Sequence, residues 1–70
     1  MSKNGISGFN SERLQQIMTI RGLTQAQLAA MVGVSTSTLS KWKNGQHMPD
    51  IDALNRLANI LDVTAEWFTR

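Results

Sequence analysis

Residues 25–44, QAQLAAMVGVSTSTLSKWKN, constrain the fold more than any other part of the chain. Leu28 and Val32 lie one helical turn apart, with the small Ala29 beside Leu28. Gly33 follows at once, between Val32 and Val34, and Leu39 and Trp42 recur at helical spacing further on. The pattern predicts a short helix that buries Leu28 and Val32, with Ala29 where a second helix crosses too closely for anything larger. Gly33 leaves the first helix in the left-handed conformation that is cheapest without a Cβ. Val34, Leu39 and Trp42 then anchor the second helix across the first, and its opposite face stays free. A lone glycine between two helical segments is a weak signal. A match of size and polarity at every one of these positions is a specific one.

A chain of 70 residues is long enough for one small domain. At that size about 60% of the extended surface is hidden on folding, so stability is expected to be marginal. Cysteine is absent, which excludes a disulfide staple and a thiolate metal site and fits a reducing cytoplasm. No apolar run reaches the roughly 18 residues of a membrane span. The opening MSKNGISG lacks the apolar stretch of a secretory signal and reads as a polar lead-in over residues 1–8, ahead of a domain over 9–70. The net charge of +2 is unevenly placed. Lys3, Arg13, Arg21, Lys41 and Lys43 face Glu12 alone in the first 43 residues, whereas Arg56 and Arg70 face Asp50, Asp52, Asp62 and Glu66 in the rest. A polyanion is drawn to the first half and away from the second.

From Phe9 onward the signals are those of helices joined by short turns. Asn10 or Ser11 caps a first helix whose Leu14, Ile17 and Met18 share a face before Gly22 ends it. Thr24 with Gln27 forms a capping box opening the second, and Leu23 is placed as its staple. Ser35 caps the third, which runs to Asn44 and stops at Gly45. Pro49 and Asp50 mark the fourth start, with Asp52 a favourable charge in its first turn. Ile51, Leu54, Leu57, Ala58 and Leu61 form its apolar stripe. Thr64 caps a short fifth helix carrying Trp67 and Phe68. The expected architecture is an all-α, five-helix domain whose core centres on Phe9, Leu14, Ile17, Leu28, Val32, Leu39, Leu54, Leu57, Ala58 and Leu61.

The segments GLTQAQLAAMVGVSTSTLSKWKNGQHMP and LNRLANILDVTAEWF make the chain similar to the phage repressor and Cro type of helix-turn-helix domain, the xenobiotic-response-element-like bacterial regulators. The resemblance covers about residues 9–69. It implies a lambda-repressor-like fold with the helix-turn-helix at helices two and three. It also implies binding of operator DNA as a homodimer and transcriptional regulation of a prophage-like, repressing kind. Relatives that end in a similar aromatic pair often continue into an effector domain, so the chain reads either as a small intact regulator or as the N-terminal part of a longer one. Two features depart from the family pattern. Lys43 follows Trp42 where many relatives carry an acidic residue, and Gln46, His47 and Met48 occupy a loop where relatives often have basic ones.

Thr36, Ser37, Ser40, Lys41 and Asn44 fall on one face of the third helix, away from Leu39 and Trp42. The N-terminal residues of such a helix enter the major groove first, so Thr36 and Ser37 are the leading base-contact candidates. Their hydroxyls donate or accept, and the Thr36 methyl can meet a thymine methyl. Lys41, one turn deeper, has the reach for guanine N7 and O6, and completes the base-contact set. By the resemblance, Gln25 and Ser35 sit where relatives grip phosphates, and Asn44 matches a position that also touches the backbone. Ser40 and Lys43 are further phosphate candidates.

Blander readings stand beside these. STSTLS could be a flexible loop or a phosphorylation site, but its flanking anchors favour a helix. His47 reads as a solvated loop residue, and Asp50 and Asp52 as cap and dipole partners rather than a catalytic pair. Trp67 is a candidate self-association patch, and Phe68 a core residue. No nucleophile–base set, glycine-rich phosphate loop or metal-spaced His pair is present, so no catalysis, cofactor or metal is expected. The competing functional class is an interaction module using the same scaffold, as an antitoxin grips its toxin.

Overall fold

The computed structural model describes residues 8–69. They form α1 (Ser11–Arg21), α2 (Gln25–Val32), α3 (Thr36–Lys43) and α4 (Ile51–Leu61), followed by a 3-10 helix over Ala65–Thr69. Among the described residues there is no strand, and no helix is long and apolar enough to cross a membrane. All but the last residue of the expected lead-in lies outside the described residues.

Each start is held by the residue type its sequence offers. The Asn10 side chain accepts from the Glu12 and Arg13 N–H groups, which makes Asn10 and not Ser11 the cap of α1. Thr24 and Gln27 form the complete capping box of α2, with bonds of 3.1 and 2.8 Å in the two directions. Ser35 accepts from the Thr38 N–H at 3.0 Å, and Asp50 from Ala53 at 2.9 Å. Each such cap satisfies a donor that the helix itself leaves open, for about 0.5–2 kcal/mol. Gly33 ends α2 at φ 88°, the left-handed conformation expected of it. The end of α4 was not foreseen: Asp62, a non-glycine, turns the chain at φ 59°. Aspartate is among the few residues that tolerate this region.

The interior follows the stripes. Leu14, Leu28, Leu39, Leu57 and Phe68 are fully buried, and Ala29 at 1% exposure sits where α2 and α3 meet. Four expectations need correction. Ile51 is 56% exposed, because the first residue of α4 has no neighbour above it and the buried stripe begins at Ala53 and Leu54. Phe9 is half-buried at the edge of the core, where it stacks on Phe68 with ring centroids 5.7 Å apart. The structure therefore has four α-helices, not five: the Thr64 carbonyl receives the Trp67 N–H at 3.1 Å, and the segment closes as a 3-10 turn. It is too short to propagate further, and the Phe68 carbonyl is taken by Asn10 N–H at 2.6 Å. Asn44 is the cap of α3 rather than its last residue.

Candidate nucleic-acid interface

The reader face is built by turning α3 about Leu39 and Trp42. These two are 0% and 5% exposed, and at about 100° per residue they send Ser37, Lys41 and Asn44 to the far side, with Thr36 at its edge in the first turn. All four of those are exposed, Ser40 is half-buried at the edge of the face, and Lys43 is half-buried on its flank. Nothing within residues 8–69 lies over the face. Lys41 and Lys43 are the only charged residues of α3, so the face carries positive charge alone.

The ends of α2 and α3 meet at its leading edge. Gln25, the first residue of α2, reaches from Nε2 to the Thr36 carbonyl at 3.4 Å, so the two helix N-termini lie side by side. Helix N-termini present unpaired N–H groups and a partial positive charge, which suits an anion. Ser35 and Thr38 are also joined by their hydroxyls at 3.0 Å. Two hydroxyl groups sharing one mutual bond keep a single proton to offer a phosphate. Sequence reasoning placed Ser35 there and missed Thr38, although a serine cap with threonine three residues on was the readable signal. At the far end, Asn44 leans on the Ser40 hydroxyl at 3.5 Å, which brings those two phosphate candidates together.

The loop after α3 is fixed by the helix it leaves. The Lys41 carbonyl accepts the Gln46 and His47 N–H groups at 2.9 and 3.3 Å, folding the loop back on the helix end. His47 is an exposed loop residue, as expected. Trp67 is half-buried: the Arg13 guanidinium lies 4.8 Å from its ring centre and Phe68 meets its edge. The exposed carboxylates of Asp50, Asp52 and Asp62 belong to α4 and its two ends, apart from the reader face.

A helix-turn-helix family model (HTH_3) matches residues 14–68 of this chain. The chain belongs to the helix-turn-helix family. That family is one of DNA-binding transcriptional regulators, as the resemblance over about residues 9–69 implied. The helix-turn-helix chain is 40% identical over 58 residues to the HTH-type transcriptional activator BcrR of Enterococcus faecalis, covering 83% of its own length and 28% of that protein. It is 30% identical over 59 residues to the SPbeta prophage-derived uncharacterized HTH-type transcriptional regulator YonR of Bacillus subtilis, covering 84% of itself and 55% of YonR. The chain thus spans well under two thirds of either relative. Among solved structures, the P22 c2 repressor in complex with synthetic operator 9T superposes with a TM-score of 0.82 at 27% identity, over 86% of this chain and 91% of that one. SinR in complex with DNA gives 0.80 at 26% identity, over 86% and 97%.

Proposed function

We propose that this domain binds operator DNA in the double-stranded form by inserting the exposed face of α3 into the major groove, and so regulates transcription. The observation that carries the reading is that face itself: the exposed hydroxyls of Thr36 and Ser37, the Lys41 ammonium and the Asn44 amide, with Lys43 on the flank, on a helix locked from behind by Leu39 and Trp42. Thr36, Ser37 and Lys41 contact base edges. Gln25, Ser35, Ser40, Lys43 and Asn44 meet phosphates, and those contacts fix the register without reading sequence. Binding to two half-sites as a homodimer, repression of the prophage type and a cytoplasmic location complete the proposal. The P22 c2 neighbour, a repressor solved with a synthetic operator, supports the DNA-binding and repressor parts of this reading.

Short hydroxyl side chains discriminate bases less sharply than a bidentate arginine or glutamine. Much of the specificity therefore rests on Lys41, bridging water and the shape of the duplex. Selection of bound duplexes from a random pool tests the reading. Enrichment of a motif with half-sites about one helical turn apart is the expected result. Absence of any enriched motif, together with salt-insensitive capture of a protein partner, would favour the antitoxin-like alternative.

A further inference from the structure

The helix-turn-helix is tied to the rest of the domain at two points, the turn that leads into α3 and the C-terminus of α3, by polar side chains from outside it. At the turn, Arg56 of α4 donates from Nη1 to the Val32 carbonyl at 3.1 Å. Val32 is the last residue of α2, which has no basic side chain of its own in that turn, so its carbonyl needs an outside partner. Only Gly33, Val34 and Ser35 separate this point from α3. At the opposite end, Gln15 of α1 donates from Nε2 to the carbonyl of Lys43, the last residue of α3, at 2.8 Å.

Apolar packing by Leu39 and Trp42 holds α3 in the domain, and a hydrogen bond, which fails outside a narrow range of distance and angle, adds a directional constraint at each point it reaches. We propose that Arg56 and Gln15 are positioning residues for DNA reading: Arg56 fixes the turn that seats α3 by holding the end of α2 to α4, and Gln15 fixes the far end of α3 to α1, neither through contact with the duplex. The inference rests on the DNA-binding function proposed above. An eight-residue helix is about 12 Å long, so a tilt of about 5° displaces one end by about 1 Å. That displacement breaks a hydrogen bond to a base edge, which must be held within about 0.5 Å. Long, flexible lysines follow a phosphate through the same movement. Losing a tether therefore weakens sequence-specific binding and spares non-specific binding.

The test uses Arg56→Met and Gln15→Met, which keep an unbranched stem and remove the donor. Gln15→Met changes no charge and lies on the exposed side of α1, so it reports even if Arg56→Met fails to fold. Affinity is measured for a duplex selected from a random pool and for a scrambled duplex, at a temperature where melting curves show every variant fully folded. The expected loss on the selected duplex is about tenfold for Arg56→Met and about fivefold for Gln15→Met, with less than about a twofold change on the scrambled one. Equal losses on both duplexes overturn the proposal, because that is the signature of a lost phosphate contact or charge. Hydrogen exchange without DNA gives a separate readout at the Val34 N–H, which bonds the Ala29 carbonyl at 3.0 Å in the turn. Faster exchange there in Arg56→Met supports the tether, and unchanged exchange overturns it. If the parent protein prefers no duplex, DNA reading fails on its own, and the exchange result still decides whether Arg56 holds the turn.

Discussion

Trp42→Ala should abolish DNA binding without removing a group that faces DNA. Trp42 is 5% exposed and lies one turn from the fully buried Leu39, on the inward side of α3. Around it, Val34, Met48, Pro49 and Ala53 line an open hollow between α3 and α4. Truncating a buried tryptophan costs about 3–5 kcal/mol, part lost transfer energy and part cavity. A domain of this size holds only about 4–10 kcal/mol in total. The helix has little else to keep it formed, because serine and threonine each cost a few tenths of a kcal/mol or more relative to alanine. The melting temperature should fall by on the order of 12–40 °C. Circular dichroism followed against temperature gives that shift, and fluorescence anisotropy of a labelled duplex gives the affinity. A variant that keeps full helicity, its melting point and its duplex affinity would refute the claim that Trp42 is what holds the reader in place.

Other substitutions separate the remaining contributions. Lys41→Ala should relax the sequence preference at one base pair by about 1–3 kcal/mol in a panel of single-site duplexes; a uniform loss across the panel would reassign Lys41 to a phosphate. Gly33→Ala should destabilise by about 1–2 kcal/mol in urea unfolding, from left-handed strain alone. A Cβ there meets nothing closer than Arg56 Nη1 at 3.9 Å, so an unchanged midpoint would show that the turn can relax its positive φ. Asp50→Ala removes the cap of α4 and should cost about 1 kcal/mol, with duplex specificity unchanged. A specificity change in that variant would mean that α4 takes part in reading.

Much of the fold was legible because its signals are local. Thr24 with Gln27, Ser35 and Asp50 each act on N–H groups three residues away, so sequence order marks them, whereas Asn10 and Ser11 stood as equal candidates for the first cap. The buried positions of α2 and α3 follow from helical spacing in the same way. Ile51 was misplaced because periodicity marks a face but not where along a helix the neighbouring helix stops. The last element was read as α because its cap and apolar pair look alike in either helix type. The bond from the Asn10 N–H to the Phe68 carbonyl, which joins this segment to the start of α1, has no local mark in the sequence. Of the site, the outward face of α3 could be read from Leu39 and Trp42. Arg56 and Gln15 could not, since a long polar side chain on one helix carries no mark of the backbone carbonyl it will reach on another.

The central claim is that the side of α3 opposite Leu39 and Trp42 is what a duplex touches. Backbone amide chemical shifts, followed while the protein is titrated with a selected duplex, test this most directly. The account predicts the largest displacements at Thr36, Ser37, Ser40, Lys41 and Asn44, with Gln25 and Ser35 next and the exposed Asp52 and Asn59 of α4 nearly still. Displacements concentrated on α4, or on the outer side of α1 around Thr19 and Ile20, with α3 unmoved, would contradict it.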